Sequence, residues 1–272
     1  MYTVSPDGRW GLSPDFRRLN DCRPGYGYPG LPDSNRDVLA PGDAGIWRTD
    51  MLSGDTKLII TIEQIAGIPW EAEGGYGKNA KSWFNHLLFS PNGERFIFLH
   101  RWRAEGEPLS TFHTRMFTAA ADGSDLYIID PSGFSSHFVP RDPEHVFLFT
   151  YHPMAKQRFY LFKDKSREVA AVGPDVMTAN GHNTYLPETE NKWVLNDTYP
   201  QEDRLQHPYL YHVPTDKRVP LGHFASPPEY KGEWRCDNHP RASRNGRQVC
   251  IDSPHLGGRQ MYLIDVSGIV EG

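Results

Sequence analysis

Four histidines occupy one position relative to turn-like segments of the sequence. His86 lies seven residues before Gly93 in NHLLFSPNG, and His239 lies seven residues before Gly246 in NHPRASRNG. His137 and His182 hold the same place before the degenerate turns of SHFVPRDPE and GHNTYLPET. Imidazoles brought together can ligate a divalent metal, or supply a general base and acid near neutral pH. A single histidine near a turn is more often a satisfied surface or core residue, but four in one register favour a common site.

Other polar residues accompany these histidines. Cys236 and Asp237 precede His239 and can complete a metal shell or orient an imidazole, although a buried, inert thiol is the alternative for Cys236. The arginines and tyrosines suit an anionic sugar, because guanidinium forks bind carboxylates and tyrosine rings stack on sugar faces. These candidates are Arg235, Arg241 and Arg259 around the last histidine, Arg23, Tyr26 and Tyr28 in RPGYGYPG, and Tyr151 and Tyr199 at strand ends, with Asp197 beside Tyr199.

A repeat predicts the elements that position these residues. A short strand, a Ser-Pro-Asx-Gly turn and an apolar strand recur in VSPDGRWGLS, LFSPNGERFIFLH, VPRDPEHVFLFT, YLPETENKWVLND and ASRNGRQVCID. Asp-Gly and Asn-Gly supply the positive-φ residues of tight hairpin turns. A further strand pair, such as SDLYIIDPSG, follows most copies. Units of four short antiparallel strands predict an all-β protein, a β-propeller of four-stranded antiparallel blades.

We count five blades in a single domain over residues 1–272, at about 1–62, 83–131, 135–173, 180–222 and 236–268. A complete five-bladed propeller and a shortened form of a seven-bladed protein remain open. Helical periodicity is scarce, and TIEQIAGI near 61–68 is the segment for which it predicts a short helix. The first strand of each propeller blade lines the central channel, so residues in one register should form a ring. We therefore expect the four histidines to converge.

Composition excludes several classes of function. The formal net charge is −5 without a basic block, which disfavours nucleic acid and anionic membranes as partners. Neither a long apolar run nor a signal peptide is evident, so we expect a cytoplasmic protein, or a periplasmic or secreted one if the N-terminus is truncated. The three cysteines include no CxxC pair, which argues against a disulfide framework.

The segments GHNTY (181–185) and DNHPRASRNGRQVCIDSPHLGGRQMYLIDVSG (237–268) resemble the β-propeller polysaccharide lyases, namely oligogalacturonate lyase and the propeller ulvan lyases. The repeat pattern also resembles the wider TolB-like and WD40-like propellers. The likeness to oligogalacturonate lyase implies a divalent metal held by His182 and His239, with manganese, zinc or calcium as candidates. Cys236 and Asp237 stand where that family has further His and Gln ligands. The likeness to ulvan lyases implies that His86, with Tyr151 or Tyr199, transfers protons, and His137 is a further catalytic candidate.

The leading hypothesis from the sequence is a lyase that cleaves uronate-containing oligosaccharides by β-elimination. Arg235 or Arg241 would neutralise the uronate carboxylate, with Arg23, Tyr28 and Arg259 as further substrate-binding residues. A glycoside hydrolase, rhamnosidase-like, with a catalytic histidine is one alternative. A non-catalytic TolB-like or WD40-like binding propeller is another, and a truncated chain without activity is a third.

Overall fold

The structure is a computed structural model that describes residues 1–271, apart from the side chain of Glu233. The chain forms two compact units. The first contains residues 1–135 and the turn segments 142–144 and 163–167. The second contains residues 136–141 and 145–162 and the chain from Glu168 onward.

Residues 1–135 contain two four-stranded antiparallel sheets. The strands of the first sheet, in the order β1-β2-β3-β4, are β1 (Thr3–Val4), β2 (Trp10–Pro14), β3 (Gly45–Asp50) and β4 (Thr56–Thr61). Those of the second, in the order β5-β6-β7-β8, are β5 (Lys81–Phe89), β6 (Arg95–Arg103), β7 (His113–Ala120) and β8 (Tyr127–Asp130). Their inner faces share a core of aliphatic and phenylalanine side chains that includes Ile46, Ile60, Phe96, Phe98 and Phe117.

The second unit holds two further four-stranded antiparallel sheets, a three-stranded sheet and a two-stranded ribbon within residues 136–271. Its strands are β9 (Phe138–Pro140), β10 (His145–His152), β11 (Lys156–Lys163), β12 (Val169–Ala171), β13 (Thr184–Tyr185), β14 (Trp193–Asn196), β15 (Leu205–Gln206), β16 (Tyr209–His212), β17 (Lys217–Pro220), β18 (Phe224–Ala225), β19 (Arg241–Ala242), β20 (Gln248–Ser253) and β21 (Gln260–Asp265). Strands β9 to β12 form one sheet, β13, β14, β16 and β17 the next, and β19 to β21 the last, while β15 pairs with β18.

The predicted turns have a shared hydrogen-bonding pattern that explains the repeat. In the first turn the Ser5 hydroxyl bonds the Asp7 carboxylate and accepts the backbone N–H of Trp10 at 2.9 Å. The turn between β5 and β6 repeats this with Ser90, Asn92 and Arg95, and the one between β19 and β20 with Ser243, Asn245 and Gln248. The glycine that follows has φ near +70° in each, a region open to glycine at no steric cost. These three blades therefore begin with a hairpin closed by local contacts.

The all-β, β-propeller fold class predicted from the sequence is confirmed, with four-stranded antiparallel blades as the building unit. One sheet differs, because the described part of the last blade has three strands. After β21 the chain buries Val266 and turns into a short helix, α3 (Ser267–Val270), instead of pairing again.

Two more helices lie in the first unit. The helix predicted near 61–68 is present as α2 (Ile62–Ala66). A second, α1 (Phe16–Cys22), was not predicted; Asp15 caps it by accepting the backbone N–H groups of Arg17 and Arg18, and its Leu19 is buried. Of the helices in residues 1–271, none has the length and apolar character needed to cross a membrane.

Candidate functional site

Three of the four predicted histidines come together in the second unit. His137 stands directly before β9, His182 two residues before β13 and His239 two residues before β19, so each precedes the first strand of its own sheet. The ring centroids of His137 and His182 are 4.4 Å apart, and those of His182 and His239 are 3.6 Å apart. The register found in the sequence thus corresponds to a real cluster of imidazoles.

A buried carboxylate fixes the tautomer of His182. Asp197 directly follows β14 and is fully buried. One of its oxygens accepts the backbone N–H of His182 at 2.6 Å, and the other lies 3.0 Å from Nδ1 of the same histidine. An ionised carboxylate only accepts, so Nδ1 carries a proton, and it is Nε2 that has the lone pair in the neutral ring. Gly181 permits this approach, since a Cβ there would overlap the Asp197 carbonyl oxygen.

His182, Asp237 and His239 have the donor set of a metal site. One ligand atom from each lies within 4.8 Å of the others. Among the residues that the structure describes, this is the one group of three or more His, Cys, Asp or Glu side chains close enough to share a metal ion. Two imidazoles with a carboxylate suit Mn, Fe or Zn. The Asp197–His182 bond is the outer-shell contact that metal-binding histidines ordinarily make. These residues therefore fit a divalent cation.

Cys236, the fourth ligand predicted from the sequence, is not in that group. Its side chain is buried, and burial raises the pKa of the thiol, so the thiolate that would bind a metal is disfavoured. The backbone carbonyl of Cys236 instead accepts the Nε2–H of Gln206 at 3.0 Å. The amide oxygen of Gln206 accepts the backbone N–H of Asn238 at 2.9 Å. Gln206, which is itself fully buried, thereby fixes the backbone on both sides of Asp237.

His239 holds a backbone conformation that few non-glycine residues adopt. Its φ is +39°, in the left-handed region, which costs a residue with a Cβ roughly 1–2 kcal/mol. Such strain persists where surrounding contacts impose it, and it concentrates at functional sites. Burial, followed by the neighbouring His182, lowers the pKa of His239, which favours the neutral ring that a metal requires.

His137 and Tyr199 form a second pair, suited to proton transfer. Nδ1 of His137 lies 2.9 Å from the Asn180 amide oxygen, whose NH₂ group donates to Ser136. Nδ1 therefore carries the proton, and Nε2 accepts the Tyr199 hydroxyl at 3.1 Å. Burial is the main cause that lowers the pKa of His137 to about 4, so the ring is neutral at pH 7.

Arg235 connects the metal set to the proton-transfer pair. Its Nε donates to the Asp237 carboxylate at 2.8 Å, and its guanidinium lies over the Tyr199 ring, 4.7 Å from the centroid. Half of the side chain is exposed, at 50%. Arg259 donates to the backbone carbonyl of Arg235 at 3.3 Å. A positive charge therefore stands beside the Tyr199–His137 pair.

Two other predicted residues of the second unit are engaged elsewhere. Arg241 donates its two terminal nitrogens to the two oxygens of Asp252, at 2.6 and 3.0 Å, so its fork already holds a carboxylate. Tyr151 is 41% exposed at the end of β10, where its hydroxyl lies 3.5 Å from the Lys156 ammonium.

His86 lies in the first unit, at a bulge in β5 with φ of +51°. Its Nδ1 is 2.6 Å from the Tyr2 hydroxyl, and its ring meets the edge of Tyr26 with centroids 6.4 Å apart. Arg23 lies over the Tyr26 ring at 3.8 Å and over Phe112 at 4.6 Å. An aromatic and cationic cluster thus surrounds this histidine. Its predicted catalytic role stays a prediction.

Tyr28, another predicted sugar-binding residue of the first unit, stacks on Phe16 with ring centroids 4.5 Å apart. Sequence reasoning missed two partners in the second unit. Asp197 was noticed beside Tyr199 but not linked to His182, and Asn180 carries no sequence signal. The Asn180 contact joins neighbouring sheets, whereas Asp197 lies opposite His182 where the pairing of β13 with β14 continues by two residues.

Comparison with known proteins supports the class of fold. The chain is a β-propeller protein, although no protein-family model matches it and no curated protein matches it in sequence. TolB from Acinetobacter baumannii aligns over 82% of this chain and 46% of its own, at 12% identity and a TM-score of 0.51. An acylaminoacyl peptidase from Pyrococcus horikoshii aligns over 96% and 36%, at 14% identity and a TM-score of 0.53.

An oligogalacturonate lyase in complex with manganese aligns over 84% of this chain and 73% of its own, at 12% identity and a TM-score of 0.48. Identities this low define the fold alone, and the likeness to the lyase is too loose to support an argument. This chain spans less than half the length of the TolB and peptidase chains that it matches. Its activity therefore has to be inferred from its own residues.

Proposed function

We propose that this protein is a lyase that cleaves uronate-containing oligosaccharides by β-elimination, with a divalent cation bound at His182, His239 and Asp237. The observation that carries the proposal is the Tyr199 hydroxyl hydrogen-bonded to the unprotonated Nε2 of His137, beside the metal-type donor set. β-Elimination needs a base, an acid and neutralisation of the uronate carboxylate. When bound, a cation would neutralise that carboxylate and acidify the proton on C5.

The residues of this chain can carry the proton movements. Nε2 of His137 takes the proton from C5 while the C5–H electrons form the double bond between C4 and C5. The C4–O4 bond breaks, and the Tyr199 hydroxyl protonates the departing O4. The proton on His137 then passes to the tyrosinate oxygen, across a hydrogen bond that is 3.1 Å long in the resting pair. Both groups return to their starting states.

The charges around the pair favour an anionic sugar. Arg235 places a half-exposed guanidinium over the Tyr199 ring, and Arg259 bonds the backbone beside it. Most glycoside hydrolases instead use two carboxyl groups placed across the bond that is cleaved. Asp197 is held by His182 and Asp237 by Arg235, so the carboxylates near the imidazoles already have structural partners. The contacts therefore favour elimination over hydrolysis.

The test is an assay of the purified chain with Mn²⁺, Zn²⁺ or Ca²⁺ on a panel of uronate oligosaccharides. An elimination product is an unsaturated uronate, which absorbs in the near ultraviolet. We expect that absorbance to rise and Tyr199→Phe to slow it by about 10²–10⁴-fold, the usual contribution of a general acid. Tyr151→Phe is the matched control, because that exposed tyrosine contacts Lys156, and it should leave the rate unchanged.

Other outcomes would replace the proposal. New reducing ends without the ultraviolet signal would identify a hydrolase. Saturable binding of the oligosaccharides without any cleavage would identify a binding propeller. A Tyr199→Phe rate equal to that of the wild type would remove Tyr199 from the mechanism.

A further inference from the structure

A second pair of histidines faces each other across the two-stranded ribbon of the second unit. In this ribbon Leu205 pairs with Ala225 and Gln206 with Phe224. Continuing the antiparallel register by one residue places His207 directly opposite His223. Their Nδ1 atoms are 2.6 Å apart, and their ring centroids are 4.9 Å apart. The two rings thus converge through the same type of nitrogen.

Backbone contacts on both sides hold the two histidines opposite each other. The backbone N–H of His207 donates to the Thr198 hydroxyl at 3.1 Å, and the N–H of Leu221 donates to the Pro208 carbonyl at 2.9 Å. Gly222, just before His223, has φ of +149°, and a Cβ there would come within 2.8 Å of the Phe224 ring. Facing cross-strand positions have Cβ atoms about 4.5–5.5 Å apart, which suits two ligands of one ion.

Proton counting shows what the pair can bind. Two Nδ1 atoms at 2.6 Å cannot both carry a proton, so one N–H donates to the lone pair of the other ring. If that proton moves to Nε2 of its own ring, both Nδ1 atoms present lone pairs to the space between them. Two imidazole nitrogens bound at about 2.0–2.1 Å to one tetrahedral ion would be roughly 3.3 Å apart. The two Nδ1 atoms would therefore have to separate slightly from 2.6 Å, and the exposed side chain of His223 has room to move.

We propose that His207 and His223 form a second cation site, for a divalent transition metal that prefers imidazole, such as Zn²⁺, Ni²⁺ or Cu²⁺, with water completing its coordination. Hard cations such as Ca²⁺ and Mg²⁺ require oxygen ligands and do not match two nitrogens. The site is distinct from the set of His182, Asp237 and His239, because it uses different side chains on a different pair of strands.

Burial, more than the nearby charges, favours a neutral His207. Asp203 has a carboxylate oxygen 4.0 Å from Nε2 of this ring, on the side away from His223 and beyond direct hydrogen-bonding distance. Burial lowers the pKa of His207 most, and the neighbouring His223 lowers it further. Asp203 opposes this by raising the pKa, and Arg218 adds a smaller lowering. A neutral ring keeps its lone pair for a metal.

The experiment separates the two sites by variants of the full chain. His182→Ala combined with His239→Ala removes two ligands of the first site, and Zn²⁺ and Ni²⁺ are then titrated calorimetrically. We expect one ion to bind this background variant. Adding His207→Ala or His223→Ala should weaken that binding about tenfold or more, and His212→Ala, a single histidine on β16, should not change it. His223→Ala alters an exposed side chain, so it keeps the test valid if His207→Ala fails to fold.

The position of the ion gives the second readout. Crystals of the background variant soaked in Zn²⁺ should show an anomalous peak within about 2.2 Å of both Nδ1 atoms. Absence of Zn²⁺ and Ni²⁺ binding in the background variant would overturn the proposal. So would binding that is unaffected by both His207→Ala and His223→Ala, or a peak bound by other residues.

Discussion

Replacing Asp197 by asparagine tests the link between a buried carboxylate and metal binding. The side chain keeps its shape, and its oxygen can still accept the backbone N–H of His182. The new NH₂ group, however, would face Nδ1 of His182, where the carboxylate accepts at 3.0 Å. His182 would then have to move its proton to Nε2 and lose the lone pair that a metal needs. Loss of such an outer-shell partner typically weakens metal binding about 10–100-fold, or roughly 1.4–2.7 kcal/mol.

The assay is a calorimetric titration of Mn²⁺ and Zn²⁺ into Asp197→Asn, with the His207 and His223 pair removed from all proteins compared. Stability in metal-free buffer should change by less than about 1 kcal/mol, because the asparagine keeps a partner for each bonded group. Asp265→Asn, at the exposed last residue of β21, is the control and should bind as the wild type does. A folded Asp197→Asn protein with unchanged affinity would refute the reasoning that Asp197 sets the tautomer of a ligand.

Three further predictions concern stability. Gln206→Leu should lower the urea midpoint, because each of the two buried backbone groups left unsatisfied costs about 1–3 kcal/mol; an unchanged midpoint would mean that water replaces the amide. The free energy of unfolding should be about 1 kcal/mol higher for His239→Gly than for His239→Ala, since only glycine adopts φ of +39° without strain; the reverse order in urea unfolding would exclude that strain. Gly181→Ala should cost about 1–3 kcal/mol in chemical unfolding through overlap with the Asp197 carbonyl, whereas Gly268→Ala, with open space around it, should not.

The sequence contains enough information to predict the histidine register, because the turns that fix it are local. A serine, an Asx residue and a glycine form the turns after His86 and His239, and the degenerate turns after His137 and His182 hold the same place, so positions counted back from each turn are equivalent within their blades. His137, His182 and His239 come together for that reason. The same logic gave α2 from its short apolar pattern, but it missed α1, whose Arg18 is buried and donates to the carbonyls of Ser82, Asn35 and Leu39. Phe16, Leu19 and Cys22 do lie at helical spacing, but a seven-residue pattern interrupted by a buried arginine is too short to identify a helix.

Partners of the imidazoles could not be predicted, because they come from other parts of the chain. Asn180 meets His137 through the packing of one sheet against the next, and Asp197 meets His182 only in the particular register in which β13 pairs with β14. The same limit applies to the arginines. Arg235 and Arg241 look alike in sequence, yet one lies over the Tyr199 ring while the other is held by both oxygens of Asp252. Sequence identifies residue types, and tertiary contacts decide which of them have a role.

The serine-bridged turns also bear on how the chain folds. Each turn closes a hairpin through contacts between residues at most five positions apart, so it loses little chain entropy on forming and can form before distant strands meet. Hairpins of this kind form in about 1–10 μs, far faster than most whole domains. Such turns in both units provide several independent starting points for folding. The whole loss of stability in Ser90→Ala should then appear as a slower refolding rate, with the unfolding rate unchanged. Truncation of an outer strand that forms late should instead mainly speed unfolding.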